Sequence, residues 1–339
     1  MPGATIYDVA KESQLSIATV SRVLSGSNYP VKPQTRQRIL DAAEKTGYVP
    51  NMLARGLKTK VNNEIAVIVP YIDSPFYYSI VGGIETTLVK SAFNMSLYLT
   101  RHSSLPADSL ENKLVGKMMA GVIIAADSIT PHFHKLLSGL NQKNRLPIIT
   151  MDYKLKKDQF PGVYFDYFAG AKMAVEYLFN KGHSQIAFAF CPLNHETRKA
   201  RWAGVQAAYK ARGREANDYF EDTANSDFKV GLSLAHRIMQ SGKKYTALAA
   251  SNDAIAVGLL VGLAGQGIRV PEDISVIGFD DCVYAKMSYP ALTTIRVPSE
   301  EMGEMVAHMM LNNLEGNEPP TDISLEPQVI ERASVKALW

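Results

Sequence analysis

Cysteine and tryptophan are scarce in this chain, two of each among 339 residues, and no long apolar run occurs. Cys191 and Cys282 are too far apart in sequence to outline a disulfide framework or a zinc site, which fits a reducing compartment. The longest apolar stretch, residues 254–264, is too short to cross a bilayer and reads as a buried helix, so no membrane partner is expected. The N-terminus has no basic segment leading into an apolar one; a secretory leader is not expected, and the expected location is the cytoplasm. H-E-x-x-H, G-x-S-x-G and Walker-type loops are all missing. The glycines from Gly262 to Gly267 end a helical run instead of following a strand, so they read as a cap, not a dinucleotide loop. His132 and His134 sit in a polar connection with no third ligand in view. No catalytic residue, metal or cofactor is therefore expected, and an enzyme is not.

Charge is nearly balanced overall, at +3, but it is unevenly placed. Residues 1–60 carry nine Lys/Arg against four Asp/Glu, leaving the remainder slightly acidic. A basic head on a near-neutral body suits a polyanionic partner for the head alone. Within that head, TIYDVAKESQLSIATVSRVL (residues 5–24) reads as two short helices around a tight turn. Thr5 with Asp8 forms a capping-box-like start, Ser13-Gln14-Leu15 interrupts the pattern, and Ser16 offers a second N-cap before Ile17. Val20, Val23 and Leu24 share one face at helical spacing, while Ile17, Ala18, Ser21 and Arg22 fall on the other. Such a helix-turn-helix can lay its second helix in the DNA major groove. A third helix should start with Pro33 at N1, line its inner face with Ile39, Leu40 and Ala43, and stop at Gly47.

T-I-Y-D-V-A followed by S-x-x-T-V-S-R-V-L closely resembles the lactose-repressor (LacI/GalR) family of bacterial transcription regulators, and the resemblance runs along nearly the whole chain. Y-x-P-N-x-x-A-R-x-L, residues 48–57, matches the family's hinge helix. Read from its residues alone, this segment is a helix too short to be stable unaided, weakened further by Gly56. The resemblance implies that it pairs with its twin in the minor groove, with Asn51 and Ala54 in the interface and Leu57 as the wedge that bends the duplex. The expected DNA-contacting set is Thr5, Ser16, Ile17, Ala18, Thr19, Ser21, Arg22, Asn51, Ala54 and Leu57. Ile17 and Ala18 stand where the family has bulkier polar residues, which favours contact with a thymine methyl and leaves Arg22 as the guanine reader. Lys11, Ser16, Thr19 and Ser21 are assigned to phosphates.

From Glu64 onward, apolar β-rich runs alternate with helical stretches, and the rhythm restarts after Asp158. Two α/β halves with a cleft between them follow, with ligands expected outside the carboxyl ends of strands. The fold expected is thus an all-α helix-turn-helix head (1–49), a hinge and linker (50–61) and a two-lobed α/β sensor of the periplasmic-binding-protein-like type (62–339). The resemblance implies three crossovers, near residues 158–163, 290–294 and 320–325. They assign 62–160 with 291–321 to the first lobe and 161–290 with 322–339 to the second. ISLEPQVIERAS (323–334) reads as one closing strand.

Polar residues stand after several strands: Tyr71 and Asp73, Asp127, Asp152, Asn252 with Asp253, and Asp280 with Asp281. Carboxylates, amides and a guanidinium beside aromatic rings suit a polyhydroxylated ring. Family resemblance singles out Asp152, Arg201, Asn252 and Asp280 as effector-binding positions, and Phe76, Tyr77 and Phe228 as pocket aromatics. Asp253 reads rather as a cap for the following helix, Asp281 as an interlobe or backbone contact, and Asp73 as either a turn residue or a ligand contact. Phe165-Asp166-Tyr167 departs from the family's Asp-Asn, placing a phenol where an amide is usual. The reading is a homodimeric repressor, with no heptad tail for a tetramer, that binds double-stranded operator DNA under control of a small effector, expected to be a sugar. The alternatives are a nucleobase or phosphoprotein co-effector, or a sugar-binding protein without a regulatory role.

Overall fold

The computed structural model describes residues 4–24, 30–48, 63–100, 113–114, 116–125, 131–154, 160–223, 226–317 and 319–339. Asn51, Ala54 and Leu57 of the expected hinge, and Asp127, lie outside the described residues. The chain divides into two compact units, Met1–Asn62 and Asn63–Trp339.

In the first unit, α1 (Ile6–Ser13), α2 (Ile17–Leu24) and α3 (Pro33–Thr46) enclose a small core. Its fully buried centre is Val9, Val20 and Ile39, joined by Ala10, Val23 and Ala42. The local signals act as expected. Thr5 donates both its N–H (2.8 Å) and its hydroxyl (2.7 Å) to the Asp8 carboxylate. Gln14 takes the left-handed conformation that turns the chain, at φ 51°, and the Ser16 hydroxyl accepts the Thr19 N–H at 3.2 Å. Gly47, at φ 65°, closes α3. One inner-face expectation is corrected. Leu40 is 45% exposed and Ala42 takes the buried place, because on a helix the residue after Ile39 lies about 100° round the cylinder. Arg38 to Gln14 (3.0 Å) and Lys45 to Glu12 (2.7 Å) tie the outer side of α3 back to the first helix and its turn.

The second unit contains two six-stranded sheets. Its elements in order are β1 (Glu64–Val69), α4 (Pro75–Leu88), β2 (Asn94–Leu99), β3 (Gly121–Ala125), α5 (Pro131–Asn144), β4 (Ile148–Asp152) and β5 (Gly162–Phe165). Then come α6 (Tyr167–Asn180), β6 (Ile186–Phe190), α7 (Glu196–Lys210), β7 (Tyr219–Glu221), α8 (Asp227–Gln240), β8 (Ala247–Ala250) and α9 (Asp253–Ala264). The chain closes with β9 (Ser275–Asp280), α10 (Val283–Met287), β10 (Thr293–Arg296), α11 (Ser299–Leu314), β11 (Ile323–Leu325) and β12 (Gln328–Ile330). The first sheet runs β11-β5-β4-β3-β1-β2 and the second β12-β10-β9-β8-β6-β7. All pairings are parallel except β10 with β12. The central strands are continuous apolar runs because both faces are covered.

Place by place, the two orders correspond: β1 with β6, β4 with β9, β5 with β10. The repetition extends to helix packing. A Cβ on Gly83 of α4 would lie 2.1 Å from the Glu300 carbonyl of α11, and one on Gly204 of α7 would lie 2.2 Å from the Phe168 carbonyl of α6. Only glycine allows helices to approach so closely.

Every crossover falls later than expected. β5 pairs with β4, so the chain leaves the first lobe at residue 166 and not before Gly162. β10 stays in the second sheet and the return falls at 297–298. The closing segment is two strands: β11 pairs with β5 in the first sheet and β12 with β10 in the second, parted at Glu326-Pro327. The expectation had put two of the boundaries beside Pro161 and Pro290. A proline interrupts a ladder locally, but it does not decide which sheet the next strand joins.

Candidate functional site

On the first unit, α2 turns Ile17, Ala18 and Arg22 outward and leaves Thr19 and Ser21 half-buried. The Ser16 and Thr19 hydroxyls lie 2.8 Å apart at the start of the helix. A helix N-terminus favours a phosphate there, and an exposed Ile-Ala pair next to Arg22 offers an apolar edge and a bidentate donor.

In the second unit, the carboxyl ends of β4 and β9 bring together most of the sensor residues picked out in the sequence. Asp152 ends β4, is 1% exposed and has φ 87°. Asp280 ends β9, at the corresponding place in the other sheet, with φ 119°. Neither is a glycine, and the left-handed region costs such residues energy that surrounding structure must supply.

The carboxylates are met from corresponding helices, α4 after β1 and α7 after β6. Tyr77 on α4 donates to Asp152 at 3.1 Å, and Arg201 on α7 reaches Asp280 at 3.3 Å. Tyr71 and Phe76 set edges against Tyr77, with centroids at 5.2 and 5.0 Å. The Arg201 guanidinium lies 4.4 Å from the Tyr167 ring centre and 4.5 Å from that of Phe279. Its Nε is buried with no hydrogen-bond partner.

Tyr167 was noticed in the sequence only as a departure from the family pattern, yet it occupies the middle of this arrangement. Its hydroxyl donates to Asp152, and its ring stacks on Phe279 at 5.9 Å. Phe165 packs its edge against both rings. The available signal was position: Tyr167 begins the helix directly after β5, beside a crossover. Burial and the Asp152 charge push its phenol well above the usual range, and burial raises the Asp280 carboxyl well above its own despite Arg201.

The remaining positions divide. Asn252 caps α9 through its oxygen, accepting the Ile255 N–H at 2.9 Å, and its amide donates to Asp227 at 2.6 Å. Asp227 also accepts from the Cys191 thiol at 3.2 Å. Asp253, expected to cap, does not. It is fully buried, accepting from Thr294 (2.6 Å) and from the Cys282 N–H (2.8 Å), because Asn252 already holds the cap position. Asp281 pairs with Arg332 at 2.5 Å and so ties down the closing segment. Phe228 is 39% exposed in the first turn of α8, and Asp73 is exposed in the bend before Pro75.

Burial pushes Asp253 up to about 7, outweighing its two hydrogen bonds. A carboxyl raised in the fold binds its proton more readily there than in the unfolded chain. Its contribution to stability is therefore full below pH ~4 and is lost as pH rises from there to about 7. Three units correspond to roughly 4 kcal/mol at most. Asp253→Asn should flatten this part of the stability profile between pH 5 and 8. Chemical denaturation of both proteins across that range checks it, and parallel profiles would remove Asp253 as the cause.

A three-helix unit presenting a helix with exposed Ile, Ala and Arg, joined to a two-sheet unit with paired carboxylates at corresponding strand ends, defines a ligand-sensing DNA-binding regulator. Residues 5–51 match the family described as bacterial regulatory proteins, lacI family, and residues 175–335 match the periplasmic binding protein-like domain. Catabolite control protein A of Priestia megaterium is 31% identical over 98% of this chain and 99% of its own. The lac repressor dimer bound to operator and an anti-inducer shares the fold, with TM-score 0.84 at 23% identity over 99% of this chain and 100% of that one. A LacI family regulator from Enterococcus faecium, solved with bound ribose, has TM-score 0.72 at 27% identity over 81% of this chain and 100% of its own. This chain belongs to the lacI family of bacterial regulatory proteins, and it is a DNA-binding transcription regulator with a sensor domain.

Proposed function

We propose that this protein is a homodimeric repressor whose operator affinity is set by a sugar bound between the two lobes of the sensor. The observation that carries the reading is the pair of carboxylates, Asp152 and Asp280, held at corresponding strand ends and linked through Tyr167 and Arg201, with Tyr77 and Tyr71 beside the first. Carboxylates accept from vicinal hydroxyls, a guanidinium donates to ring and hydroxyl oxygens, and aromatic faces cover the C–H surface of a sugar. The ribose held by the Enterococcus faecium relative supports the same class. Asn252 and Asp227 serve the site by orienting its floor. Arg22, Ile17 and Ala18 read bases, and Ser16, Thr19 and Ser21 hold phosphates. Asn51, Ala54 and Leu57 form the hinge contact by sequence pattern. A second copy is supported by an exposed apolar group on α10 and the turn after it, where Val283, Tyr284, Met287 and Tyr289 are 51, 41, 77 and 98% exposed.

One experiment tests the whole reading: select duplexes from a random pool, footprint the winner, then titrate the complex with ribose, cellobiose and other common sugars. The expected result is a two-half-site footprint that one sugar class relieves, and that Tyr289→Asp reduces to weak single-site binding. A nucleobase or a phosphorylated protein shifting operator affinity where every sugar fails would replace the sugar reading.

A further inference from the structure

The two halves of the effector site are built alike but are not equally occupied. On the second lobe, Arg201 reaches Asp280 at 3.3 Å and keeps a buried Nε without a partner. On the first lobe, Asp152 already accepts from two phenols, those of Tyr77 and Tyr167. Tyr77 stands on α4, in the same lobe as Asp152. Tyr167 does not: α6 packs on α7 and on strands β8, β10 and β12 of the second lobe. Its hydroxyl therefore makes a bond between lobes, one residue past the crossover at 166.

We propose that Tyr167 is a resident competitor for the effector, its hydroxyl occupying Asp152 from the opposite lobe, latching the lobes together and selecting which ligands can enter. The inference rests on the interlobe site proposed above and adds the residue that controls it. An ordinary core tyrosine would need any polar partner to satisfy its hydroxyl. This one is given a carboxylate at a strained backbone position, across a boundary that the chain crosses three times, and its ring is clamped between Arg201 and Phe165. The buried Arg201 Nε lacks a partner, so a ligand that opens the site gains by offering an acceptor oxygen there. It reaches Asp152 only by displacing a phenol, so it must also carry a hydroxyl donor at the far side. The site accordingly takes polyols that bear both functions and rejects ligands that supply only an acceptor.

Competition of this kind weakens apparent affinity by the fraction of molecules in which the latch is closed. Tyr167→Phe keeps the ring and its stacking while removing the competing donor. Tyr77→Phe removes a donor from the same carboxylate without touching a bond between lobes. Both variants are compared with the wild type as full chains, by hydrogen exchange without ligand and by calorimetric titration with D-ribose. Tyr167→Phe is expected to speed exchange several-fold in peptides spanning residues 166, 297–298 and 326–327, and to bind ribose about tenfold more tightly, the order expected for one hydrogen bond to a charged acceptor. Tyr77→Phe should leave exchange at the crossovers unchanged. Wild-type exchange rates in Tyr167→Phe, or the same acceleration in both variants, would overturn the latch. If ribose binds none of the three, exchange alone decides: acceleration confined to Tyr167→Phe sustains the latch while the choice of sugar falls, and no acceleration ends it.

Discussion

Arg201→Leu is expected to lower the unfolding free energy of the sensor by about 3 kcal/mol and to remove the response of operator binding to effector. Only 11% of the Arg201 side chain and 13% of the Asp280 side chain are exposed, so the pair is buried. In such a pair the Coulombic gain and the desolvation cost nearly cancel, whereas deleting Arg201 leaves a buried carboxyl that must either stay charged without a partner or take up a proton. Leucine retains much of the packing between Tyr167 and Phe279 but supplies no counter-charge for Asp280. A loss of this size in a unit of this length lowers the melting temperature by roughly 5 °C. Asp280→Asn added to Arg201→Leu removes that carboxyl, and most of the lost stability should return. The effector response should not return, because the guanidinium proposed to meet the ligand is still absent. Thermal denaturation and sugar-dependent release from operator separate the two effects. A single variant as stable as the wild type would contradict the burial argument, and a double variant that responds normally would remove Arg201 from the site.

Much of this architecture was legible in the chain, and the boundary of legibility follows distance. Thr5 with Asp8, Ser16 before Ile17, Pro33 at the start of α3 and Gly47 at its end each act on partners within a few residues, so spacing alone locates them. Apolar runs such as IAVIV and SVIGF likewise announce buried strands, and polar residues at their ends announced Asp152 and Asp280. The crossovers were misplaced because a strand of three or four residues carries no mark of the sheet it will join. The pairing of β5 with β4, and the split of the closing segment between two sheets, depend on partners remote in sequence. Asp253 lost its expected capping role to Asn252 for a related reason. Either residue can cap a helix, and only the presence of Thr294, a residue 41 positions away, shows what the second carboxylate serves. Tyr167 escaped notice as a site residue because its place after β5, the one local signal, does not show that its phenol meets Asp152, a partner 15 residues away in another strand.

Val20→Asp and Arg22→Ala lie on one short helix and should both abolish tight operator binding, by routes that measurement can tell apart. Val20 is fully buried with Val9 and Ile39 in a core of very few side chains. A carboxylate there would be buried among apolar side chains, and a unit of this size has little stability to lose, so the head should unfold. Far-ultraviolet dichroism would then show lost helix, and affinity would fall equally for selected and random duplexes. Arg22 is exposed on the face of α2 opposite that core, and its removal should leave the three helices intact. If it reads guanine bidentately, each head loses about 1–3 kcal/mol of discrimination, roughly 10- to 100-fold per half-site. The preference for the selected duplex should then collapse toward the level of random DNA, while weak salt-sensitive binding persists. A phosphate-holding Arg22 would instead weaken both duplexes alike and reduce the salt dependence by about one counterion per head. Equal losses on selected and random DNA, with the helices of Arg22→Ala intact, would therefore move base recognition to Ile17 and Ala18.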